Sequence, residues 1–478
     1  MDYRFLLAGE GSKRQSRQRR LYGNLRSAIV SGRLASEHRL PSSRELAEQL
    51  GIARNSVVYA FEQLRVEGYL STSRRGTQVA AAAAASVDRL RRSRLNIVVS
   101  KRVRGLSRRE RPRDDALPFS PGVPALEDFP LQEWHAVLRR SAAKIRARHL
   151  GYGEAQGNEE LRRAISDRLR AARALRCSHE QIFITNGTQS TLDLLARSIA
   201  DPGERVWMEA PGYTGARAAF LAAGLEVEAV EVDEAGFDPE KTRRLGKPRF
   251  IYLTPSHQYP LGSVLSLQRR MELINLAWEL NALILEDDYD SDFRFGGEPL
   301  PALQGLVEEA PVIYLGTFSK TMFPGLRLGY VVVPPAAVET IATIYANLDR
   351  HGRQHEQTAL ASFISEGRYT RHLSRMRKLY RERQHALRLA LAARLPEMTV
   401  DGAEAGLHLV LRLPPGCDDV DLARRARAQR LNPAPLSEYG DGGKSRRCGL
   451  VLGYGNLDVS GVEAAVRTLA QLVLRALR

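Results

Sequence analysis

From Phe119 to the C-terminus, short apolar runs alternate with longer amphipathic stretches, and this alternation constrains the fold more than any other feature of the sequence. The apolar runs predict buried strands, at residues 181–184, 205–208, 250–253, 282–285 and 312–315. The amphipathic stretches, such as 192–199 and 269–280, predict helices. Strands that alternate with helices indicate a largely parallel sheet covered on both faces. In such sheets, ligands bind in the loops beyond the carboxyl ends of the strands.

Two of those loops carry residues suited to an anion and to an aromatic ligand. Gly187, Thr188 and Gln189 follow the first strand and open a helix, where free backbone N–H groups attract anions. A polar glycine turn before a helix is common, so this signal is weak alone. Tyr213 follows the second strand in a Pro-Gly-Tyr sequence near the expected ligand crevice, although a tyrosine with only a packing role is the more usual case.

The fourth strand runs into a dense group of acidic residues around one tyrosine, Glu286-Asp287-Asp288-Tyr289-Asp290. A carboxylate at a strand end can hold a protonated ring nitrogen, and a tyrosine hydroxyl two residues further on can bond a phenolate. The alternative interpretation is a metal site, because carboxylates are ligands for hard divalent ions. No histidine stands close to this group in sequence, which weakens the metal interpretation.

The fifth strand is followed by Thr-Phe-Ser-Lys, which contains Ser319 and Lys320, and then by a Pro-Gly-Leu-Arg segment that ends at Arg327. A lysine in this position forms a Schiff base with an aldehyde when its neighbours lower its pKa. A lone lysine at a strand end is more often only solvated. The residue types alone leave both interpretations open.

The positive charge of the chain is concentrated at its N-terminal end. Residues 1–113 contain 25 lysines and arginines against 9 acidic residues, an excess that equals the net charge of +16 of the whole 478-residue chain. Because cations that neutralise phosphates release counterions, this asymmetry favours a polyanionic partner at the N-terminal end. A basic tail that only aids solubility is the alternative.

Residues 15–80 of this basic region predict a small domain of three helices and a hairpin. The first helix is expected at 22–31 and ends near Gly32. The second opens with Ser42, and Glu45 three residues later completes a capping-box pattern. After a turn of two or three residues, the third helix starts near Ala53 and buries an apolar face. Residues 69–70 and 77–79 then flank a tip with two arginines, which predicts a wing.

The exposed face of the third helix carries Arg54, Asn55, Ser56 and Tyr59. Two helices joined by so short a turn, with arginine and asparagine at the start of the second, are typical of entry into the major groove of DNA. Arginine can bond a guanine edge or a phosphate, and asparagine an adenine edge. The alternative is a small helical domain with a solvated polar face, but the charge asymmetry favours DNA.

Residues 81–117 begin with an alanine tract and continue with many arginines, so we expect a linker between the N-terminal domain and a domain at 118–478. The sequence leaves open whether this linker is a flexible tether, a helix or a connector along DNA. No run of about 18 apolar residues is present, so no membrane span is expected. The short apolar run at 1–8 precedes arginines rather than a cleavage site, and the three cysteines lack disulfide or metal spacing, so we expect a cytoplasmic protein.

The N-terminal domain resembles the GntR-type winged helix. The resemblance rests on Leu-Pro-Ser-Ser-Arg-Glu-Leu-Ala at 40–47, Arg-Asn-Ser-Val at 54–57 and Glu-Gly-Tyr-Leu at 67–70. In that family, DNA is contacted by the arginine that opens the second helix, the start of the third helix and the wing tip. The resemblance therefore implies DNA contacts at Arg44, Arg54, Asn55, Ser56, Arg75 and Gly76.

From about residue 15 to the C-terminus, the chain resembles the MocR (GabR-like) branch of the GntR regulators. The motifs are those at the strand ends, together with Thr-Pro-Ser-His-Gln-Tyr-Pro-Leu-Gly at 254–262, Tyr152-Gly153 and Gly406-Leu407-His408. The resemblance implies a winged helix-turn-helix domain fused to an α/β pyridoxal 5'-phosphate (PLP) transferase domain of fold type I. That domain has a large part with a mainly parallel sheet and a smaller C-terminal α/β subdomain.

The resemblance also implies roles for individual residues. Lys320 would be the Schiff-base lysine, Asp287 would pair with the pyridine nitrogen of PLP, Tyr289 would bond the ring oxygen and Tyr213 would stack on the ring. The phosphate would be held by Gly187, Thr188, Gln189, Ser319 and Arg327. No metal site is implied.

One position departs from the family's enzymes and its amino-acid-sensing members, which carry an arginine for a substrate carboxylate before a Leu-Gly-aromatic run. Here Val451 precedes Leu452-Gly453-Tyr454. A bidentate carboxylate clamp is therefore absent from that position, although Arg446 or Arg447 could substitute. We expect a regulator that senses PLP or an amine without this clamp. An active aminotransferase with an accessory DNA-binding domain and a cofactor-free body are the alternatives.

The resemblance implies partners as well. Members of this family are typically head-to-tail homodimers, which implies an operator of double-stranded DNA with two half-sites. A small molecule, PLP or an amine or amino acid, would be the effector and would alter DNA binding through linkage. Control of vitamin B6 synthesis is the expectation by family analogy, with amino-acid, taurine-like or polyamine metabolism as rivals.

Overall fold

The computed structural model describes residues 2–7, 16–74, 76–81, 99–104, 117–296, 300–349, 352–402, 405–440 and 447–477. These residues form two compact units, an N-terminal unit (Met1–Val99) and a C-terminal unit (Ser100–Arg478). Arg75 at the expected wing tip, Arg446 and most of the linker expected at 81–117 lie outside the described residues.

The N-terminal unit contains three helices and a two-stranded antiparallel hairpin. Its elements are α1 (Arg17–Val30), α2 (Ser43–Leu50), α3 (Arg54–Val66), β1 (Leu70–Ser73) and β2 (Gly76–Val79). The first helix begins before the predicted residue 22. The capping box is present, because the Glu45 N–H donates to Ser42 Oγ at 3.3 Å and the Ser42 N–H donates to a Glu45 carboxylate oxygen at 2.9 Å.

The apolar stripes of the three helices meet in one core, to which Leu25, Leu46 and Leu64 each contribute a buried side chain. This core extends beyond the predicted domain of 15–80, because Tyr3 and Leu6 are buried in it as well. The Tyr3 hydroxyl lies 2.9 Å from Nε2 of His38, a residue that precedes α2. The short apolar run at the start of the chain is therefore part of the packing of the N-terminal unit.

The C-terminal unit begins with a short helix, and then strands alternate with helices as predicted. Its helices are α4 (Lys101–Arg104), α5 (Leu131–Lys144), α6 (Glu159–Arg173), α7 (Thr188–Ile199), α8 (Thr214–Ala223), α9 (Leu267–Leu280), α10 (Leu303–Leu306), α11 (Val338–Leu348), α12 (Gln354–Ser365), α13 (Arg368–Arg394), α14 (Asp419–Ala428) and α15 (Val462–Ala476). The strands of its larger sheet are β3 (Ile182–Thr185), β4 (Arg205–Ala210), β5 (Glu226–Asp233), β6 (Gly236–Phe237), β7 (Pro248–Leu253), β8 (Leu283–Asp288), β9 (Val312–Thr317) and β10 (Gly329–Val332).

The eight strands described for this sheet follow the order β3-β10-β9-β8-β7-β4-β5-β6. The central strands pair in parallel, whereas β10 runs antiparallel to both of its neighbours and β6 antiparallel to β5. Buried apolar side chains pack helices against both faces, as in other sheets of this class. A mainly parallel sheet, as predicted, forms the large part of the unit.

Four of the five predicted strands extend further toward their carboxyl ends than predicted. The fourth predicted strand, 282–285, continues as β8 to Asp288. Its last residues still pair with β9, since Asp287 lies opposite Leu315 and Asp288 opposite Gly316. Pairing with β9 thus holds these polar residues in the extended conformation, although sequence patterns assign them to a loop.

A second, antiparallel sheet forms the smaller C-terminal part of the unit. Its strands follow the order β11-β12-β14-β13, with β11 (Val400–Asp401), β12 (His408–Arg412), β13 (Ala434–Pro435) and β14 (Gly449–Gly453). Helices α14 and α15 pack on this sheet through buried residues such as Leu422 and Leu469. In the part of the chain that the structure describes, no helix is long and apolar enough to cross a membrane.

Candidate functional site

The strand topology brings the predicted ligand loops to one edge of the large sheet. Strands β4, β7, β8 and β9 are parallel, so the residues that follow them emerge on the same side. Asp287 is the penultimate residue of β8, and Lys320 follows the end of β9 by three residues. Tyr213 follows β4 in the same way. These residues are therefore far apart in the sequence but lie at the same edge of the sheet.

Gly329, the first residue of β10, joins two further loops to this edge. It pairs with Thr185 of β3 on one side and with Thr317 of β9 on the other. A Cβ on Gly329 would lie 2.9 Å from the Gly316 carbonyl oxygen and 3.1 Å from the Cα of Gly187. This close approach places the loop after β3 beside the loop after β9.

Asp287 is buried, with 5% of its surface exposed, and has one partnered and one unpartnered oxygen. The hydroxyl of Tyr252 donates to Oδ2 at 2.6 Å, whereas Oδ1 is buried and has no hydrogen-bond partner among the described residues. Burial raises the pKa of this carboxyl to about 7, and the nearby charges of Lys320 and Asp288 act in opposite directions on it. A buried acceptor without a partner is costly, so a cation or donor supplied by a ligand would satisfy it.

Lys320 is half-buried and projects toward the segment before α5. Its Nζ donates to the Gly122 carbonyl oxygen at 2.5 Å. A Cβ on Gly122 would lie only 2.8 Å from this Nζ, and its φ of +72° also favours glycine. Gly122 was not singled out by the sequence analysis, and a lone glycine in a turn gives no signal of such a role.

Tyr289 is held by two buried residues that the sequence analysis did not assign to the site. Its hydroxyl oxygen lies 2.9 Å from Nδ1 of His257. The same Nδ1 lies 3.0 and 3.1 Å from the two carboxylate oxygens of Asp290. His257 is separated from this acidic group by about 30 residues, which is why the sequence showed no histidine near it.

Tyr213 is half-buried, and its hydroxyl donates to Gln189 Oε1 at 3.3 Å. Gln189 Nε2 in turn donates to the Gly215 carbonyl oxygen at 2.9 Å. Two residues predicted to hold different parts of PLP, the ring and the phosphate, thus bond each other. The edge of the Tyr213 ring also faces Tyr259, with ring centroids 6.0 Å apart.

The loop after β3 forms a positively polarised end of the site. Gly187 is the N-cap residue of α7 and has a φ of +97°. A Cβ on Gly187 would lie 3.8 Å from the guanidinium group of Arg327. Thr188 begins α7, and its Oγ1 is buried without a hydrogen-bond partner among the described residues. The Ser319 N–H is held by Thr317 Oγ1 at 3.1 Å. A helix start, an arginine and an unpartnered hydroxyl together suit a phosphate.

Glu286 and Asp288 lie on the face of β8 opposite to Asp287, because successive side chains of a strand alternate between faces. Glu286 accepts the N–H groups of Leu303 and Gln304 at 3.1 and 3.3 Å. Asp288 pairs with buried Arg173 at 2.9 Å. Burial raises the pKa of Asp288, but the charge of Arg173 together with hydrogen bonds from Ser291 and Tyr314 lowers it below its ordinary value. Among the described residues, no group of three or more His, Cys, Asp or Glu side chains is arranged to hold a metal ion.

Val451 is buried in β14, between Val410 of β12 and Ala434 of β13. It packs in an apolar cluster that Tyr259 and the buried Tyr439 border. Arg447, which the sequence offered as a substitute for the missing arginine, donates to the Val232 carbonyl oxygen at 2.8 Å and lies 3.6 Å from Glu231. Arg447 is thus engaged on β5.

The residues at this edge fit PLP. The unpartnered Asp287 Oδ1 is an acceptor for a protonated pyridine nitrogen, and the unpartnered Thr188 Oγ1 and the guanidinium of Arg327 suit its phosphate. Lys320 supplies the primary amine that an aldehyde requires. Each of these groups is a separate observation, and they share one edge of one sheet.

The predicted DNA-contacting residues lie in the N-terminal unit. Arg44 is exposed near the start of α2, and Arg54 and Asn55 are exposed at the start of α3. Ser56 and Tyr59 are half-buried on the same helix. Only the residues 51–53 separate the two helices, and Gly51 at φ +60° ends α2. This is the geometry of a helix-turn-helix.

The hairpin gives this surface a second component. Ser73 pairs with Gly76, whose φ of +113° requires glycine-like freedom at the tip. The Leu40 N–H donates to the Thr77 carbonyl oxygen at 3.0 Å, so the segment before α2 lines the other side of β2. Arg74 of the tip is exposed.

Two family models match the chain. The model described as Aminotransferase class I and II matches residues 115–439, and the model described as Bacterial regulatory proteins, gntR family, matches residues 17–79. The first match covers more than half of the chain, and the second coincides with the winged-helix elements.

Two similar proteins match along almost their full length. A protein of Rhizobium meliloti described as a probable rhizopine catabolism regulatory protein, MocR, is 38% identical over 95% of this chain and 93% of its own. The pyridoxine biosynthesis transcriptional regulator PdxR of Corynebacterium glutamicum is 35% identical over 91% of both chains.

A solved structure matches the C-terminal part of the chain. The α-aminoadipate aminotransferase LysN of Thermus thermophilus, complexed with N-(5'-phosphopyridoxyl)-L-leucine, is 31% identical. The match covers 76% of this chain and 93% of that one, with a TM-score of 0.69.

Proposed function

We propose, from the premise that this chain belongs to the MocR branch of the GntR family of transcriptional regulators, that Lys320 binds PLP and that the state of this site controls DNA binding. The chain is a DNA-binding regulator with an aminotransferase-like domain whose cofactor is PLP. The residue roles, the effector and the regulated genes are the proposed part.

The observation that carries the proposal is the unpartnered, buried Oδ1 of Asp287 at the same sheet edge as Lys320. When bound, PLP supplies an electron-withdrawing ring and an aldehyde that combines with amines. Asp287 would hold the ring nitrogen in its protonated form, Tyr289 would donate to the ring oxygen, and Tyr213 would cover one face of the ring. Gly187, Thr188, Gln189, Ser319 and Arg327 would bind the phosphate.

We test this assignment with Lys320→Ala and with Lys378→Ala as the matched control, because Lys378 is an exposed lysine of α13. Each protein is incubated with PLP, reduced with borohydride and examined by mass spectrometry of its peptides. The wild type and the control should carry a phosphopyridoxyl group on the peptide that contains residue 320. A labelled Lys320→Ala protein, or a wild type labelled only elsewhere, would remove Lys320 from this role.

Regulation would follow from linkage between the two sites. If binding of PLP changes the affinity of the protein for DNA by a given factor, binding of DNA changes the affinity of the protein for PLP by the same factor. We propose that the operator has two half-sites that a head-to-tail homodimer of this chain binds. Footprinting of the DNA upstream of the gene, with and without PLP, tests this. Two protected segments that change together with PLP support it, and one PLP-independent segment contradicts it.

We further propose that the regulated genes serve vitamin B6 metabolism. The support is the 35% identity with the PdxR regulator over 91% of both chains, together with Val451 in place of a carboxylate-binding arginine. A regulator of PLP supply needs no clamp for an amino-acid carboxylate. Transcripts of PLP-synthesis genes should change when the regulator gene is deleted, and unchanged transcripts would leave an amine effector as the alternative.

A further inference from the structure

Tyr289 is hydrogen-bonded to His257, which in turn contacts Asp290. His257 and Asp290 each have 2% of their surface exposed. Nδ1 of His257 lies 2.9 Å from the Tyr289 hydroxyl and 3.0 Å from the nearer oxygen of Asp290. Neither His257 nor Asp290 is among the residues proposed above to contact PLP.

The geometry indicates where the protons of this group lie. Nε2 of His257 is buried and has no hydrogen-bond partner among the described residues, so a proton there would be an unsatisfied donor. Nδ1 faces a carboxylate, which can only accept when ionised. The imidazole proton therefore belongs on Nδ1, between Asp290 and the oxygen of Tyr289. With its oxygen accepting from His257, Tyr289 keeps its own proton to donate elsewhere.

The charges around Tyr289 favour its protonated form. Burial raises the pKa of Tyr289 well above its ordinary value, and the neighbouring charge of Asp290 adds to this rise. Burial also raises the pKa of Asp290, and His257 opposes that rise. Other titratable groups interact electrostatically with these three residues, namely Glu209, Tyr259, Asp287, Asp288, Lys320, His408 and Tyr454.

The pair is also fixed in position by close packing. A Cβ on Gly406 would collide with Cε1 of His257 and would lie 2.5 Å from Oδ2 of Asp290. The ring of His408 stands 5.3 Å from the ring of His257, and its Nε2 lies 2.9 Å from the Pro260 carbonyl oxygen. The imidazole thus has little room to rotate away from Tyr289.

We propose that His257 and Asp290 are positioning residues that hold Tyr289 as a hydrogen-bond donor to the ring oxygen of PLP. This inference rests on the proposed function, because it needs PLP in this site. A hydrogen bond to that oxygen stabilises its anionic form and lowers the affinity of the bound chromophore for its proton. The pair therefore sets the pH at which the absorbance of the PLP-loaded protein changes.

The test is a pH titration of the absorbance of the PLP-loaded full chain. In His257→Gln the side-chain N–H donor no longer lies at the Nδ1 position. The midpoint of the absorbance titration should therefore rise by about 0.5–1 pH unit, which corresponds to the free energy of about one hydrogen bond. His257→Asn keeps an amide N–H near the Nδ1 position and should have a midpoint close to that of the wild type. Tyr289→Phe sets the upper limit of the rise.

Gln357→Leu is the matched control for loss of a buried polar side chain. Gln357 is fully buried and bonds Asn158 and Gly352 rather than Tyr289, so its replacement should leave the midpoint unchanged. Equal midpoints for His257→Gln and the wild type, beside a raised midpoint for Tyr289→Phe, would overturn the inference and leave PLP binding intact. A higher midpoint for His257→Asn than for His257→Gln would overturn it too. A wild type without a pH-dependent PLP band would remove the proposed function itself, and the inference with it.

Discussion

The two units of this protein differ in whether their proposed ligand-binding residues are exposed or buried. In the N-terminal unit, the residues proposed to contact DNA, such as Arg44 and Asn55, are exposed, and the core beneath them is apolar. In the C-terminal unit, the proposed PLP residues include buried polar atoms without partners among the described residues, such as Asp287 Oδ1 and Thr188 Oγ1.

This difference follows from the size of the two ligands. DNA is a large polyanion that solvated side chains reach without being buried beforehand, so its binding surface costs the free protein little stability. A small cofactor has few atoms, and the protein must surround it with oriented polar groups. Those groups are costly when the ligand does not satisfy them. Substitution of a ligand-contacting residue should therefore affect binding alone in the N-terminal unit, and binding together with stability in the C-terminal unit.

The largest expected effect concerns Asp287. In the folded protein the pKa of this carboxyl is about 7, above its ordinary value of 3.8. Between about pH 4 and about pH 7, the folded protein therefore holds a proton that the unfolded chain has lost. The stability of the PLP-free C-terminal unit should therefore fall as the pH rises through this window, by about 2–4 kcal/mol for this group. Asp287→Asn should remove that part of the fall, as measured by urea unfolding at about pH 5 and about pH 8.

The control for this prediction is Asp193→Asn, which removes a partly exposed carboxylate of α7 that pairs with Arg197. It should leave the pH dependence as in the wild type. Glu209, also buried with a pKa that burial raises to about 7, remains in both variants and keeps part of the fall. If Asp287→Asn retains the full pH dependence, the raised pKa of Asp287 is not the cause of that dependence, and the prediction is wrong.

The next prediction concerns the exposed surface. Arg54→Ala and Asn55→Ala should each weaken binding to DNA from upstream of the gene by about 10–100-fold, because a specific base contact contributes about 1–3 kcal/mol. The absorbance of bound PLP and the unfolding midpoint should stay unchanged, since both side chains are exposed. Arg65→Ala, at the other end of α3, is the control and should bind DNA nearly as the wild type does. Equal losses for Arg65 and Arg54 would contradict sequence readout by the start of the helix.

The smallest expected effect tests whether the two units respond independently. Ser42→Ala removes the capping box of α2 and should lower the free energy of unfolding of the N-terminal unit by about 1 kcal/mol. Thermal unfolding, followed with and without PLP, measures it. Ser42→Thr, which retains a capping hydroxyl, should lose less. A change in PLP absorbance in Ser42→Ala would show that the units are not separate in this respect.

Much of the fold was predictable because apolar periodicity marks buried strands and helices directly. The prediction failed where tertiary contacts override local pattern. The predicted strand 282–285 stopped before its acidic residues, but β8 continues through Glu286 because that carboxylate receives two backbone N–H groups from the start of α10. Glu286, Asp287 and Asp288 are also held in the strand by their pairing with β9. No local signal reveals the neighbouring strand or a hydrogen-bond partner 17 residues away.

The candidate site divides in the same way. Residues in dense motifs, such as Lys320 and Tyr289, were singled out from the sequence, whereas those that support them were not. Tyr252 reads as an ordinary strand residue, yet its hydroxyl bonds Asp287 at 2.6 Å. His257 stood within a quoted motif without a role, because its partner Asp290 belongs to a different loop. Supporting residues depend on which loops share a sheet edge, and that is a property of the topology.

The burial of Tyr3 and Leu6 dictates how this regulator is best prepared for such experiments. An affinity tag fused directly ahead of these side chains would have to leave from a packed surface of the DNA-binding unit. A tag placed after α15 would instead follow Leu477, whose side chain is exposed. We therefore expect a purification tag placed after α15 to disturb the packing of the N-terminal unit less than one placed ahead of Tyr3.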